Sequence, residues 1–434
     1  MSDYVCPLDY RYGREEMKSI FSETSRINYQ MKVEAALARA HATLGEISQA
    51  DADEITRVAE SGDVKVERIK EIEKLTNHDL MAMVKAMTEQ CKGDAGKYVH
   101  LGATSNDIVD TATAMQIRDA LALVAKDVDE FLYTLAKLAK RERDTLEIGR
   151  THAQFAIPIT YGFKIAGYIA EMLRYRERLD EIMPRACAGK MAGAGLTYEP
   201  AATQVVGRDR YTELVCLLAT LGTSLERYAT EVRNLQRSEI GEVSEYFDKA
   251  HQVGSSTMAQ KRNPINSENV CGLARILRGF VMPTFESQVL WHERDLSNSS
   301  AERFTLPHVF TLIDYMLYKM NKVFSGLEVH RDKMLRNIAS AHGLIMAEPV
   351  MMAFVGKGIG RQDAHEIVRE ASMEAEDKEI DLLETLWERE VVREHFSKEE
   401  LATVMDPANY TGGSKEIVDR MVDAVENALE KKVE

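Results

Sequence analysis

The sequence predicts an all-α fold in which a central bundle of long helices is flanked along the chain by two regions of shorter helices. Residues 103–148 contain neither proline nor glycine, and their apolar side chains recur at three- and four-residue steps, the period of a helix. Other long helical patterns cover about 160–183, 208–250, 265–292 and 302–329. No convincing run of residues alternates between apolar and polar side chains, so no sheet is predicted.

The first region, residues 1–103, is predicted to form four shorter helices. Their patterns cover about 14–43, 49–60, 64–73 and 77–91. Thr76 or Asn77 is the predicted N-cap of the fourth helix, because both side chains accept hydrogen bonds from the free N–H groups at a helix start. The segment His100–Asp107 combines small hydroxyl residues with the start of a long helix, which is either ordinary capping or an anion site.

The central region, residues 104–345, is predicted to contain the long helices. Thr104 or Ser105 is the expected N-cap of the first of them, and Gly149 is its expected stop. A helix of this length exceeds the width of a single globular core. We therefore expect an elongated bundle that is shared between subunits.

Residues 346–434 are predicted to form a third region of shorter helices. Its last helix is expected to begin at Lys415, with Ser414 as the N-cap. Gly356–Arg361 has the glycine spacing of a phosphate loop, but no strand precedes it, so we predict a turn between two helices. His365–Arg369 begins like the zinc motif HExxH but lacks the second histidine, so no metal is predicted there.

Composition narrows the possible partners and compartment. The 434 residues carry a formal net charge of −15, which argues against nucleic acid or an anionic membrane surface, because both bind basic faces. A small anionic substrate would need cations gathered locally. The five cysteines are widely spaced without a CxxC pair, which favours a reducing compartment such as the cytoplasm over a disulfide framework. No stretch approaches about 18 uninterrupted apolar residues, so no membrane span is predicted.

Residues 254–264 form the most informative segment. They read Gly-Ser-Ser-Thr-Met-Ala-Gln-Lys-Arg-Asn-Pro and follow neither a helical nor a strand period. Three consecutive hydroxyl residues precede two adjacent cations, and Pro264 disfavours helix at Asn263. A loop of this composition in an acidic protein indicates anion handling. The alternative is a polar connection between helices.

Two further segments contain candidates for proton transfer. Gly149–Gln154 lies at a predicted break between two helices and contains His152, whose imidazole can donate or accept a proton near pH 7. Leu75–Asp79 contains His78 beside the predicted cap. For each histidine the alternative is a structural or solvent-exposed residue without a chemical role.

The stretch Trp291–Arg303 contains candidates for anion binding. Arg294, Ser299 and Arg303 are placed to clamp a phosphate or carboxylate, because a guanidinium presents a planar fork of donors. The alternative is an ion-paired helix junction, since three carboxylates in the same stretch can pair with these arginines.

Taken together and in this order, the segments resemble the fumarase/aspartase superfamily, whose signature loop usually reads GSSxMPxKxNP. The chain has Ala259 where that loop has its first proline. Within the superfamily the chain resembles the adenylosuccinate lyases from about residue 10 to 430. The motifs that carry this resemblance are Arg11–Gly13, Thr76–Asp79, Thr104–Asp107, Arg150–His152, Leu235–Glu239 and Trp291–Asp295, the last followed by Ser299 and Arg303.

The resemblance implies a fold, an assembly and a reaction. The family has three helical domains and forms a homotetramer whose active sites are each built from three subunits. It cleaves a C–N bond and releases fumarate, from adenylosuccinate to give AMP and from the succinyl-carboxamide ribotide SAICAR to give AICAR, in purine biosynthesis. The expected substrate is thus a small anionic nucleotide. No cofactor and no metal are expected, and the chain shows no nucleotide-cofactor, flavin or metal motif.

The resemblance also implies residue roles. Ser255 is the expected base, and Lys261 with Asn263 is expected to stabilise the carbanion. His152 is the expected general acid, and His78 is expected to assist it. The remaining candidates are Glu268 as partner of a catalytic histidine; Arg11, Tyr12, Arg294, Ser299 and Arg303 for the phosphate; Thr104, Ser105 and Gln204 for the succinyl group; and Asp107 and Thr151 as further substrate contacts.

Two rival interpretations stay open at this point. One is another lyase of the superfamily, such as argininosuccinate lyase, aspartase or a carboxymuconate cycloisomerase, whose substrates carry no phosphate. The other is a helical scaffold that has lost the chemistry, against which the presence of Ser255, Lys261, Asn263, His78 and His152 counts.

Overall fold

The computed structural model describes residues 5–191, 196–248, 257–258 and 260–434. It confirms the all-α prediction, because helices dominate and the strands are few and short. The chain divides into two compact units. The first comprises Met1–Val128, Tyr175–Glu226 and Val270–Lys319, and the second comprises Asp129–Arg174, Arg227–Asn269 and Met320–Glu434. The division into regions 1–103, 104–345 and 346–434 stays a prediction.

The described residues form 19 α-helices. In chain order these are α1 (Pro7–Tyr10), α2 (Glu15–Phe21), α3 (Glu23–Thr43), α4 (Gln49–Ser61), α5 (Val66–Thr76), α6 (Asp79–Gln90), α7 (Ser105–Arg141), α8 (Tyr161–Ala186), α9 (Asp209–Leu235), α10 (Ile265–Gly279), α11 (Val281–Glu286), α12 (Ser297–Ser325), α13 (Arg331–Ala339), α14 (Ala347–Gly356), α15 (Arg361–Lys378), α16 (Leu382–Trp387), α17 (Glu390–His395), α18 (Lys398–Val404) and α19 (Ser414–Leu429).

Six short strands pair two by two in the described residues. Strands β1 (Leu146–Thr151) and β2 (Gln154–Thr160) form an antiparallel hairpin with an irregularity between Ile148 and Arg150. The other strands are only two residues long: β3 (Ala188–Gly189) pairs with β4 (Thr197–Tyr198) in parallel, and β5 (Val243–Ser244) pairs with β6 (Glu328–Val329) antiparallel.

The first long helix was predicted to run to Gly149, and this end is wrong. Helix α7 has 37 residues and ends at Arg141, and the chain then enters the β1–β2 hairpin. Ile148 is fully buried in β1, and every residue of that strand except Gly149 is paired with β2. The pairs from Leu146 to Ile148 join residues 10 to 14 positions apart, so the local apolar period does not reveal them.

The pattern over 208–250 also overstates its helix, because α9 ends at Leu235. Gly241 adopts a left-handed conformation with φ of 63°, and strand β5 follows and pairs with β6. The pattern over 265–292 covers α10 and α11, which are separated at Phe280, and that over 302–329 corresponds to α12, Ser297–Ser325. The pattern over 160–183 is confirmed as α8.

The cap predictions were partly wrong. Asn77 is the left-handed C-cap of α5, and His78 is the N-cap of α6, so neither Thr76 nor Asn77 has the predicted role. At the end of the chain, α19 begins at Ser414 with Gly413 as the N-cap. The turn predicted at 356–361 is confirmed, because α14 ends and α15 begins there.

Each unit has its own apolar core. In the first unit, helices α3 to α6 and the start of α7 bury a cluster that includes Ile55, Met87 and Ile108. In the second, Phe131 and Phe324 meet edge to face at 5.6 Å between ring centroids, and Tyr168 stacks on Tyr228 at 4.2 Å. A separate cluster packs α14 to α18 around residues such as Phe354.

Within the part of the chain that the structure describes, no single helix is both long and apolar enough to cross a membrane. The helices Arg331–Ala339 and Leu344–Gly356 meet that criterion only when taken together, across a bend of 78°.

Candidate functional site

A cavity of about 550 Å³ in the first unit contains several of the predicted phosphate-binding side chains. We call it the first-unit cavity. His78 from the start of α6, Ser105 from the start of α7, and Arg294, Ser299 and Arg303 from the α11–α12 region all line it. Three stretches that are distant in sequence therefore supply donors to one space.

Arg303 is held at the cavity wall by an acidic partner. Its Nη2 lies 2.5 Å from Asp79 Oδ2, and Arg26 Nη1 lies 3.6 Å from the same oxygen. Burial alone would raise the pKa of Asp79, but hydrogen bonds from Arg303 and from the Leu80 N–H hold that pKa below its usual value. The side chain of Arg303 is still 55% exposed, and its guanidinium has further N–H donors for a ligand.

Arg294 has a neutral hydrogen-bond partner, whereas Arg303 is paired with a carboxylate. With the Asn106 amide oriented towards it, Arg294 donates from Nε and Nη1 to the Asn106 oxygen at 3.0 and 3.2 Å. No ion pair joins Arg294 to another residue in the described ranges of the chain. A guanidinium held by a neutral acceptor retains its full charge for an incoming anion.

His78 combines a structural and an available nitrogen. As the N-cap of α6 it accepts the Met81 N–H at Nδ1 at 3.3 Å. In the neutral imidazole an accepting Nδ1 leaves the proton on Nε2. The side chain is 46% exposed and lines the first-unit cavity, so Nε2–H is the donor that a ligand would meet.

The predicted succinyl contacts lie together at the start of α7. Gln204 Nε2 donates to Thr104 Oγ1 at 2.8 Å. The Asp107 carboxylate accepts the Thr104 N–H at 2.8 Å and pairs with Lys190 Nζ at 2.8 Å. Asp107 thus fixes the helix start through one half of a capping box, and Lys190 is a partner that the sequence did not reveal.

Arg208 is a second residue that the sequence analysis missed. It is nearly buried and donates to Asp110 Oδ1 and to Glu302 Oε1, both at 2.9 Å. These bonds join α7 to the first turns of α12, which contain Ser299 and Arg303. In the sequence, Arg208 is only a charged residue at the start of a helical pattern. Many exposed residues have the same placement, so it does not indicate a buried ion pair.

Arg11 and Tyr12 do not line the first-unit cavity. Tyr12 packs edge to face against Tyr315 at 5.9 Å between ring centroids, and Arg11 lies over the Tyr12 ring at 5.8 Å. The next residues anchor them: Arg14 donates from Nε to Asp314 Oδ2 at 2.9 Å and also pairs with Asp127. The segment is therefore tied to α7 and α12 by a partly buried guanidinium, whose side chain is 24% exposed.

Gly13 allows this close approach, and Gly13→Ala is expected to be destabilising. Gly13 has φ of +91°, and an added Cβ would lie 2.4 Å from Thr311 Cγ2. We expect a loss of about 2–3 kcal/mol in the free energy of unfolding, from left-handed strain and overpacking. Gly45→Ala is the matched control, because its φ is +76° and nothing lies within 4 Å of its added Cβ. Equal losses in urea denaturation would contradict the clash with Thr311.

The paired aspartates around Arg14 give a pH-dependent stability. Burial raises the pKa of Asp127 to about 7, with Arg14 opposing and Asp314 adding to the rise. A carboxyl whose folded pKa exceeds its unfolded pKa contributes stability at low pH that is lost as the pH rises through the folded value. We expect the ionisation of Asp127 to lower the free energy of unfolding by about 1 kcal/mol between pH 6 and pH 8.

The Asp127→Asn variant is expected to lack this loss, because its amide can donate to Asp314 without a titratable proton. The measurement is urea denaturation of both proteins at pH 6 and pH 8. Burial also raises the pKa of Glu147 in the second unit to about 7, but Glu147 titrates equally in both proteins and cancels. A pH dependence that is unchanged in the variant would contradict the assignment to Asp127.

A second cavity, of about 730 Å³, lies in the second unit and is rich in cations. We call it the second-unit cavity. Lys261, Asn263 and Glu268 line it, as predicted candidates that the structure brings together, and so do three arginines: Arg233, Arg237 and Arg262. Glu268 is its only acidic lining residue among the described residues, and no described histidine lines it. Four cations against one carboxylate make this space attractive to a polyanion.

A buried carboxylate fixes the chain beside this cavity. Glu245 is 5% exposed and accepts hydrogen bonds from the Ser267 N–H at 2.7 Å and the Asn266 N–H at 3.2 Å, at the free start of α10. Gln236 links the two sides by accepting the Glu245 N–H at 2.9 Å and donating to the Arg262 carbonyl at 3.3 Å. Glu245 and Gln236 thus position the segment that contains Lys261.

The predicted break between two helices at His152 is confirmed, because residues 142–160 separate α7 from α8. Within this break His152 lies at the turn of the β1–β2 hairpin, which was not predicted. Thr151 pairs with Gln154, so His152 and Ala153 are the two loop residues, with φ of 51° and 62°. His152 is exposed and lines neither cavity. Ser255 lies outside the described residues.

Arg150 joins this hairpin to a buried acid. Its Nη1 and Nη2 lie 2.8 and 2.7 Å from the two carboxylate oxygens of Glu242, which is fully buried. Asn337 Nδ2 donates to Glu242 Oε1 at 2.7 Å. Neither Glu242 nor Asn337 was singled out by the sequence, because the partners are separated by about ninety residues.

Among the residues that the structure describes, no group of three or more His, Cys, Asp or Glu side chains is arranged to hold a metal ion.

Comparison with known proteins places these features in a family. Residues 9–206 and 198–279 match a family profile described as "Lyase", and residues 343–421 match one described as "Adenylosuccinate lyase C-terminus". The adenylosuccinate lyase of Pyrococcus abyssi is 47% identical over 444 residues, covering 97% of this chain and 98% of that protein. That of Methanocaldococcus jannaschii is 42% identical over 445 residues, covering 98% and 96%.

Solved structures agree with the fold. The fumarate lyase from Mesorhizobium sp. BNC1 aligns with a TM-score of 0.86 at 31% identity, covering 97% of this chain and all of that chain. The 3-carboxy-cis,cis-muconate lactonizing enzyme from Pseudomonas putida aligns with a TM-score of 0.87 at 29% identity, covering 97% and 99%. With relatives at this identity over nearly its full length, the chain belongs to the adenylosuccinate lyase family within the fumarate lyase superfamily.

Proposed function

We propose that the chain eliminates fumarate from adenylosuccinate to give AMP, and from SAICAR to give AICAR. The observation that carries this choice is the first-unit cavity, where Arg294, Ser299 and Arg303 share one space with His78. Arginine donors of this kind suit a phosphate, which both ribotides carry. Argininosuccinate, aspartate and carboxymuconate have no phosphate to occupy them.

The reaction needs a base, a cation and an acid. In the proposed assignment Ser255 removes the proton from the carbon next to a succinyl carboxylate, and the electron pair is delocalised into that carboxylate. Lys261 and Asn263 stabilise the resulting dianion, which forms in a cavity that already contains three other cations. As the C–N bond breaks, His152 protonates the departing nitrogen, and fumarate and the nucleotide leave.

The remaining candidates are proposed to bind or orient the substrate. His78 offers Nε2–H to the ligand. Arg11 and Tyr12 do not line the first-unit cavity, and their proposed contact with the phosphate requires an active site that is shared between subunits. Thr104, Ser105 and Gln204 contact the succinyl group, and the Thr104–Gln204 hydrogen bond supports their common task. Thr151 is a further contact, and Glu268 partners a catalytic histidine. The structure supports Asp107 in a different way, as the residue that orients Thr104.

We propose that the protein is a cytoplasmic homotetramer with active sites shared between subunits. Large exposed apolar side chains support an assembly, because such side chains mark interfaces when they cluster. In the first unit they are concentrated at Met282, Phe285, Val289, Trp291, Leu296 and Phe304. Sedimentation equilibrium tests this part, and a monomer at micromolar concentration would contradict it.

The test of the activity is a direct assay. The purified protein is mixed with adenylosuccinate, and the ultraviolet absorbance change is followed as AMP and fumarate form. Argininosuccinate, aspartate and carboxymuconate are assayed in parallel. Turnover of one of these three in place of adenylosuccinate would keep the superfamily and reject the proposed substrate, and inactivity on all four would favour a non-catalytic scaffold.

The Arg303→Ala variant is expected to raise KM for adenylosuccinate about 10- to 100-fold with a smaller change in kcat. The reason is the loss of a charge-assisted hydrogen bond to the phosphate, which contributes about 1.5–3 kcal/mol. Arg68→Ala is the matched control, since Arg68 also pairs with a carboxylate on the first unit, at 2.7 Å from Glu89, but does not line the cavity. An unchanged KM in Arg303→Ala would contradict the phosphate assignment.

A further inference from the structure

We propose that Glu242 is a positioning residue for His152, acting through Arg150 and the β1–β2 hairpin. The inference rests on the proposed role of His152 as general acid and adds a residue with no direct contact to the substrate. Two observations support it. His152 lies in a turn with unfavourable backbone angles, and the buried ion pair of Arg150 and Glu242 lies beside that turn.

The turn has an unfavourable sequence for its geometry. A two-residue hairpin loop with positive φ at both positions has the dihedral signs of a type I′ turn, which strongly prefers Asn-Gly or a similar pair. Here the two positions are His152 and Ala153, at 51° and 62°. Residues with a Cβ disfavour this region, and such strain persists only where the surroundings impose it.

The two strands alone are a weak support. An isolated two-stranded hairpin is marginally stable in water. The pairing is also irregular between Ile148 and Arg150, close to the turn. The conformation at His152 therefore depends on contacts from outside the hairpin.

Arg150 makes the nearest such contact. It lies two residues before His152, and its guanidinium pairs with Glu242 through two hydrogen bonds of 2.8 and 2.7 Å. The same guanidinium lies 5.7 Å from the ring centre of Phe155, its partner across the hairpin. Arg150 therefore contacts both strands at the second cross-strand pair from the turn.

Glu242 is itself rigidly held. Its carboxylate is fully buried and accepts Asn337 Nδ2 at 2.7 Å, and its carbonyl accepts the His330 N–H at 2.8 Å. A bidentate pair fixes orientation as well as distance, because both donors of the fork must be satisfied together. Two further contacts of β1 lie on the side of Arg150 away from the turn: Glu147 pairs with Lys164 at 2.6 Å, and Ile148 packs in a buried cluster with Ile338.

The test is a double-mutant cycle on the intact protein with adenylosuccinate as substrate. The four proteins are the wild type, Glu242→Gln, His152→Gln and the double variant. We expect Glu242→Gln to lower kcat roughly 10- to 100-fold with little change in KM, the size of effect that a small misplacement of a reacting group produces. In the His152→Gln background the same change is expected to have almost no further effect on kcat, because the residue acts through His152.

Asn337→Ala is the second variant, since it removes one hydrogen bond to Glu242 and leaves the Arg150 pair in place. It keeps the proposal testable if Glu242→Gln does not fold, and we expect a smaller loss of kcat that also vanishes in the His152→Gln background. Asp419→Asn is the matched control, because Asp419 makes a bidentate pair with Arg143 at 2.7 and 2.7 Å elsewhere in the second unit. It is expected to leave kcat unchanged.

Each outcome decides between the claims. A loss of kcat that is equal with and without His152 would show a general structural role for Glu242 and overturn the positioning role. Unchanged kcat in both Glu242→Gln and Asn337→Ala would also overturn it. An inactive wild type would contradict the proposed function instead, and full activity of His152→Gln would reject His152 as the acid and the positioning role with it.

Discussion

Replacing Ser255 by alanine is expected to lower kcat for fumarate elimination from adenylosuccinate by about 10³-fold or more, within the range that a positioned acid or base contributes. A hydroxyl is a weak base at neutral pH, so its removal of a carbon-bound proton requires nearby positive charge and exclusion of water. Lys261, six residues further along, is the cation that the sequence offers for this purpose. Without the Ser255 oxygen no other group is proposed to take the proton.

The neighbouring Ser256 provides a matched control, because Ser256→Ala removes the same hydroxyl one position away. We expect Ser256→Ala to retain most of the activity. Binding of adenylosuccinate to the Ser255→Ala protein, measured by calorimetry, should be close to the wild-type KM, since the lost interaction belongs to the transition state. Full turnover by Ser255→Ala, or equal losses in both variants, would reject Ser255 as the base.

Replacing Lys261 by methionine is expected to lower kcat by about 10²- to 10³-fold, the cost of removing one preorganised group that faces developing charge. Lys261 lines the second-unit cavity with three arginines and one carboxylate. Gln236 links the chain beside this lysine to Glu245, because it donates to the Arg262 carbonyl at 3.3 Å and accepts the Glu245 N–H at 2.9 Å. Methionine preserves the length and apolar stem of the side chain while removing the charge.

Two comparisons separate this effect from a general loss of positive charge. Lys261→Arg keeps the charge but changes its shape, and we expect a loss intermediate between those of the wild type and Lys261→Met. Lys97→Met removes an exposed lysine paired with Asp94 at 2.6 Å in the first unit and should have no effect on kcat. A rise in KM at unchanged kcat in Lys261→Met would place Lys261 in ground-state binding and contradict its role in stabilising the carbanion.

The helices were predictable because their signal is local. The apolar period of residues 103–148 and 160–183 identifies α7 and α8, since each residue of a helix is hydrogen-bonded to a neighbour four positions away. The hairpin over β1 and β2 was missed for the same reason. Its pairs join residues as far apart as Leu146 and Thr160, and the apolar period of the preceding helix runs on into the first strand.

The candidate site divides in a similar way. Motif order along the chain identified His78, Arg294 and Arg303 and the cations near Lys261, because family motifs are contiguous stretches. It did not identify the buried residues that hold them. Arg208 pairs with Asp110 and with Glu302, each about a hundred residues away along the chain. In the sequence, none of these three charged residues can be distinguished from a charged residue that is exposed to solvent.

Short segments of the sequence are sufficient to predict the helical character of the chain, its family and the chemical types of its candidate residues. The tertiary structure alone decided which charges became buried partners. Arg150 and Glu242 lie 92 residues apart, and only folding brings them to 2.7 Å. A buried charge without a partner of opposite charge destabilises the fold. Whether a partner is close enough depends on distances in the folded chain, not on positions along the sequence.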